Sequence, residues 1–262
     1  MIRIGVVNYV NSRPLARGLE RDRAGGRYEL HYLSPAAVAD GLAAGTLDAG
    51  LVPSIELVRN PDLVAVPGMA IAATHEVRSV LLVSKVSVRE IRRVALDENS
   101  RTSAALVRIV LAERYGLSPE TAPAAPRLDE MLAGADAALL IGDPALHVDR
   151  GPYVVLDLAG EWLELTGLPF VFAVWAARRA AASPELETLL RRSLETGLRD
   201  LDRIVAETAA ETRLAPAVLR DYYTRNLRFE MGEAERRGLE EFLARVTAAD
   251  RRTLDARSSP SR

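Results

Sequence analysis

Cysteine is absent from the 262 residues, which excludes disulfides, thiolate nucleophiles and cysteine-ligated zinc. Histidine is nearly as scarce, with only His31, His75 and His147, so a histidine-rich metal site is not expected and the metal-ligand set is read as none. Neither sign of charge dominates: 34 basic and 36 acidic side chains give a formal net charge of −2. No long basic stripe runs along the chain, and nucleic acid is therefore not the expected partner. The sequence also lacks any apolar run of about twenty residues, and no basic leader precedes an apolar core. No membrane span or export signal is read, and the expectation is a soluble, cytoplasmic protein.

What is present is an alternation of apolar strands with helices. The opening run passes from Ile2–Val7 through Asn8-Tyr9-Val10-Asn11-Ser12-Arg13 to Pro14, reading as strand, polar loop and helix start. Ser12 or Asn11 can cap that helix and Pro14 suits its first turn, so free backbone N–H groups and the positive end of the helix dipole lie where an anion can sit. The design recurs further on. Arg93–Asp97 reads as a strand, 98–102 as a loop, and 103–115 as a helix that Gly116 ends, with Val107, Val110 and Leu111 on its buried face. Ser100, Thr102 and Ser103 crowd its start, more hydroxyls than one cap needs.

Further strands are read at Tyr28–Leu33, at Asp48–Val52 leading into Pro53-Ser54, and at Asp136–Ile141 leading into Gly142-Asp143. The prolines 119, 123 and 126 read as a link, and helices are expected near 184–210, 216–224 and 232–246. Each Asp-Ala pair, at 48–49 and 136–137, opens an apolar strand at a similar distance after a helix start, a weak echo of one βαβ design. Strands alternating with helices predict mostly parallel sheets. With 48% apolar residues the chain can bury two cores. The runs Ser79–Lys85 and Val171–Ala176 read as crossings between two lobes, with hinges at 84–85 and 175–176. Residues 1–84 and 177–262 are thus assigned to lobe one and 85–176 to lobe two, with 250–262 as a frayed polar tail. Ligands of such sheets bind at the carboxyl ends of strands. The expected cleft has Asn11 and Ser12 on one wall and Ser100, Thr102, Ser103 and Asp143 on the other, suited to a small multiply anionic ligand. Ser54, at the matching tip of lobe one, is a further candidate; it fits a helix start equally well, as Asp143 fits a cap on the turn after it. His75 reads as a surface residue, and Trp162 and Trp175 as core.

Five blocks carry a family resemblance: Asn8–Leu15 (NYVNSRPL), Ser79–Ser84 (SVLLVS), Ser100–Ser103 (SRTS), Leu140–Asp143 (LIGD) and Thr166–Trp175 (TGLPFVFAVW). In this order they resemble the chorismate dehydratases of menaquinone biosynthesis by the futalosine route. That resemblance implies the two-lobed, type II periplasmic-binding-protein-like fold and loss of water from chorismate to give 3-[(1-carboxyvinyl)oxy]benzoate, without a cofactor. It implies Asn11 as the active-site asparagine and Ser79 as a ligand-facing residue. Substrate-binding residues are thus expected at Ser12, Ser54, Ser79, Ser100, Thr102, Ser103 and Asp143. No histidine lies in these blocks, and Asp97 and Asp143 are the only carboxylates in or beside them. One hypothesis makes the substrate's own enolpyruvyl carboxylate the base. Two other readings compete: a non-catalytic solute receptor or sensor built on the same cleft, and 1,4-dihydroxy-6-naphthoate synthase. The synthase shares the fold and uses a histidine that these blocks lack. Closure of the lobes over the ligand is expected, to exclude water.

Overall fold

The computed structural model describes residues 1–22 and 25–258, with side chains as far as residue 251. Strand β1 (Ile2–Val7) ends in a 3-10 turn (Val10–Ser12) and helix α1 (Arg13–Arg21). There follow β2 (Tyr28–Leu33), α2 (Pro35–Ala43), β3 (Ala49–Pro53), the short α3 (Glu56–Arg59) and the long β4 (Leu63–Ala73). The chain then builds β5 (Val80–Ser84), β6 (Arg93–Asp97), α4 (Thr102–Tyr115), β7 (Glu120–Ala124), α5 (Leu128–Gly134), β8 (Ala137–Ile141), α6 (Asp143–Leu146), β9 (Val154–Asp157) and α7 (Leu158–Thr166). It returns through β10 (Phe170–Arg178) to α8 (Pro184–Arg199), α9 (Leu201–Thr212), α10 (Pro216–Asp221), a π-helical segment (Tyr222–Asn226), β11 (Arg228–Glu230) and α11 (Glu233–Ser258). Two sheets result, in the orders β11-β4-β10-β3-β1-β2 and β7-β6-β8-β5-β9.

The two-lobed α/β architecture matches expectation, but the sheets are mixed rather than mostly parallel. β1 pairs parallel with β2 and β3, and β6 with β7 and β8, whereas β10, β11 and β5 pair antiparallel with their neighbours. Strands of βαβ units run toward the cleft. β5 and β10 each begin at the cleft, where the chain has just crossed between lobes, and so run away from it. Pro123 sits in β7, an edge strand where a link is expected from sequence, and an edge position tolerates a residue without an N–H.

The lobe boundaries also shift. β5 lies wholly in the second sheet and β10 wholly in the first, so the crossings are 74–79 and 167–169, not the strands themselves. The outgoing crossing is anchored by Asp157, whose carboxylate accepts from Val77 N at 3.0 Å and from Arg78 N at 2.7 Å. Arg78 holds φ +65°, a left-handed conformation uncommon for a side-chain-bearing residue. The expected 184–210 helix is two helices, and α11 continues through most of the segment expected to fray, as far as Ser258; 259–262 lie outside the described residues.

Both faces of β5 are buried, as its unbroken apolar run demands: Val80 and Leu82 join the main core, while Leu81 and Val83 join a smaller cluster with Met131, Leu132 and Leu140. Trp162 and Trp175 are fully buried, as expected, and His75 is exposed. No helix among the described residues is long and apolar enough to cross a membrane.

The two Asp-Ala pairs share a structural role. Asp48, just before β3, accepts from Arg3 N of β1 at 2.8 Å and pairs with the Arg3 guanidinium; Asp136, just before β8, accepts from Arg92 N and Arg93 N at 2.9 Å, tying it to β6. Each carboxylate satisfies N–H groups at the start of a neighbouring parallel strand. The Arg3 hydrogen bond holds the Asp48 carboxyl below its ordinary value of 3.8, so its contribution is present above that value and lost as pH falls through the lower native one. The stability that Asp48→Asn loses at pH 7 should therefore shrink toward zero on acidification below 3.8, as read from urea unfolding at each pH. A steric prediction concerns the α1–α8 contact. A Cβ on Gly197 would stand 1.9 Å from Pro14 O, so Gly197→Ala should lower the unfolding free energy by about 1–3 kcal/mol or more, measurable by thermal denaturation.

Candidate active site

Between the sheets lies a cleft of about 560 Å³, its open mouth included, within the range of small-molecule sites. Lobe one supplies Val7 at the end of β1, Tyr9, Asn11 in the following turn, Pro53 at the end of β3, Ile71 of β4 and Phe172 of β10. Lobe two supplies Val80 of β5, the segment 99–103 leading into α4, and Ile141-Gly142 at the end of β8; Ser79 closes the crossing. The walls are thus mainly apolar, with polar groups concentrated at the α4 start and at Asn11.

Those polar groups are short of partners. Asn11 Oδ1 and Ser100 Oγ are buried with no hydrogen-bond partner among the described residues. Helix α4 starts without a side-chain cap, which leaves the N–H groups of its first turn for a ligand at the positive end of a 14-residue helix. An anion seated there would meet backbone donors and the hydroxyls of Ser100 and Ser103. Among the described residues, no carboxylate or imidazole lines the cleft, and no group of three or more acidic or histidine side chains is placed to hold a metal ion.

The carboxylates lie one layer behind. Asp97 accepts from Asn99 N at 2.9 Å and Asp143 from Val10 N at 3.0 Å; burial pushes both pKa values up. Tyr9 stands against Gly142, whose φ is +64° and whose absent Cβ would lie 3.0 Å from the ring. Burial and the nearby Asp97 and Asp143 charges push its phenol far up, so it stays protonated.

Of the residues expected from sequence, Asn11, Ser79, Ser100, Thr102 and Ser103 come together in one cavity. Ser12, Ser54 and Asp143 do not line it. The Ser12 hydroxyl turns back onto the carbonyls of Val7 and Tyr9, so it neither caps α1 nor faces a ligand. Ser54 Oγ donates to Val171 O at 2.7 Å, stitching β3 to β10. Asp143 braces the Asn11 turn from the opposite lobe. Thr102 lines the cleft, but its oxygen already accepts from Ile55 N at 3.2 Å, making it a bridge between lobes as much as a ligand group.

A family model described as menaquinone biosynthesis matches residues 2–248. The chorismate dehydratase of Thermus thermophilus is 34% identical, over 91% of this chain and 93% of that protein. The chain belongs to the menaquinone biosynthesis family. The chorismate dehydratase of Campylobacter jejuni (strain 81-176) is 29% identical over 64% of each chain. Among solved structures, a protein of Archaeoglobus fulgidus superposes with a TM-score of 0.75 at 14% identity, covering 95% of this chain and 97% of that one. The alkanesulfonate-binding protein SsuA of Xanthomonas axonopodis pv. citri, bound to MOPS, gives 0.65 at 21% identity, covering 99% and 94%. Both likenesses carry the fold, which is that of the periplasmic binding proteins.

In this family member the lobes are held together beside the cleft mouth by Arg101. Its guanidinium donates across the gap to Asp40 at 2.7 Å and to Glu56 at 3.3 Å. Glu56 is buried and without Arg101 keeps only Arg59, at 3.8 Å, and a buried carboxylate stripped of its nearer partner is costly. Arg101→Met should therefore let the lobes part, seen as a larger radius of gyration in small-angle scattering of the unliganded protein.

Proposed function

We propose that this chain is a chorismate dehydratase, a hydro-lyase that converts chorismate to 3-[(1-carboxyvinyl)oxy]benzoate and water in menaquinone biosynthesis. The futalosine route belongs to the same reading and rests on the sequence resemblance; a cytoplasmic location goes with it as the expectation drawn from the sequence pattern. One observation carries the chemistry: a cleft rich in anion donors has, among the described residues that line it, no carboxylate or imidazole to act as base. Chorismate brings two carboxylates of its own. One sits on the uncapped α4 start, with Ser100 and Ser103; donors aimed at the ring carboxylate stabilise the carbanion that delocalises onto it through the diene.

The enolpyruvyl carboxylate then takes the ring proton beside the ether oxygen. It returns that proton to the neighbouring hydroxyl, which leaves as water while the ring becomes aromatic, so the carboxylate ends as it began. Asn11 Oδ1, an acceptor without a partner, suits the departing hydroxyl, whose proton it can receive as a hydrogen bond. Apolar walls exclude bulk water from these steps. Cofactors play no part in this reading. The naphthoate synthase reading is disfavoured because none of His31, His75 and His147 lines the cleft.

Incubating the purified protein with chorismate alone and following the products by chromatography tests the reading. The aromatic enol ether should appear, and Asn11→Ala should lower kcat by about 10²-fold, as loss of one transition-state hydrogen bond does, with a smaller change in KM. Chorismate binding without turnover would instead favour the receptor reading, which the likeness to SsuA supports at the level of fold.

A further inference from the structure

Tyr222 belongs to no motif of the cleft and does not line it, yet its hydroxyl reaches the cleft's polar groups from behind. The side chain is fully buried and donates to Ser79 Oγ at 2.8 Å across 143 positions of sequence. The Asn11 side chain lies beside the same hydroxyl. Ser79 and Asn11 both line the cavity.

The π-helical segment explains how this is reached. Tyr222 and Tyr223 are consecutive and both buried, and the widened turn brings both hydroxyls onto the site. Tyr223 donates to Val10 O at 2.9 Å, fixing the peptide that precedes Asn11.

Hydrogen-bond capacity then decides what each group offers a ligand. A serine hydroxyl has one proton and two lone pairs. Having accepted from Tyr222, Ser79 keeps its proton free for the cavity. The Tyr222 oxygen, having donated, can still accept from the Asn11 amide N–H, which would leave Oδ1, the buried acceptor without a partner, for the substrate. A phenylalanine would leave both groups free to turn the other way.

We propose that Tyr222 is a positioning residue whose hydroxyl sets Ser79 as a donor and Asn11 as an acceptor toward the substrate. This rests on the dehydratase reading. Burial supports the assignment by keeping the phenol protonated, and so a donor, at any working pH.

The test is a kinetic double-mutant cycle on the full chain with chorismate: wild type, Tyr222→Phe, Ser79→Ala and the double variant, each checked for its circular-dichroism spectrum. Tyr222→Phe should retain the fold and lose about tenfold or more in kcat/KM, the scale of one hydrogen bond to a charged ligand. The double variant should lose less than the product of the single losses, since part of what Tyr222 does passes through its contact with Ser79. Wild-type kinetics in Tyr222→Phe, or losses that multiply, overturn the inference while leaving the dehydratase reading intact. A wild type that leaves chorismate unchanged overturns the reading and the inference with it. Should Tyr222→Phe not fold, 3-fluorotyrosine at position 222 keeps the shape and makes the phenol more acidic. As a stronger donor and weaker acceptor, it should change kcat/KM in the wild-type background and change it less in Ser79→Ala, and an unchanged kcat/KM overturns the inference.

Discussion

Hydrogen-bonding capacity left unmet inside an apolar cleft is the constraint from which the rest of this structure follows. A buried polar atom without a partner costs about 1–3 kcal/mol; Asn11 Oδ1 and Ser100 Oγ carry such a cost, beside an α4 start that no side chain caps. The fold can bear it because everything around the site is over-determined. β1, β3, β6 and β8 bring apolar strands to the cleft edge, and the main core runs continuously beneath both lobes. Val7, Pro53, Ile71, Val77 and Phe172 surround these groups with apolar surface, so the protein leaves them to a ligand that can satisfy them together.

Much of this arrangement is legible in the sequence, for a physical reason. Strand ends followed by small polar residues and a helix start have one common geometry, so Asn11, Ser100, Thr102 and Ser103 can be placed on a cleft before any coordinates. Ser12 and Ser54 stand at the same kind of tip but face away, because nearby carbonyls of Val7, Tyr9 and Val171 capture their hydroxyls. For Ser54 the acceptor is a carbonyl of the neighbouring β10, far off in sequence, and for Ser12 the acceptors are carbonyls of the strand end and turn just before it; the spacing of polar residues reports neither. Tyr222 is invisible for a related reason: its partner is reached only when the C-terminal helices fold back, and a π-helical turn has no sequence signature of its own.

The mixed sheets carry the same lesson at larger scale. Apolar runs and helix caps locate strands and helices well, yet whether a strand runs toward or away from the cleft depends on where the chain has just come from. β5 and β10 stand out in the sequence as long apolar strands next to the crossings; their membership of one sheet each follows from their pairing, with β8 and β9 in one case and β3 and β4 in the other. The Asp48 and Asp136 echo survives in a different sense from a repeated fold: both carboxylates tether the start of one parallel strand to the next.

The central place of β10 has a consequence for how the protein is made. It is wedged between β3 and β4, which precede it by about a hundred residues. During synthesis, β1 to β4 emerge first but lack the strand that joins their two halves, while the whole of the second sheet is translated as one uninterrupted segment. The later-made lobe is thus the one able to complete its sheet first. The earlier strands must wait with open edges, the condition in which nascent chains are most exposed to mispairing.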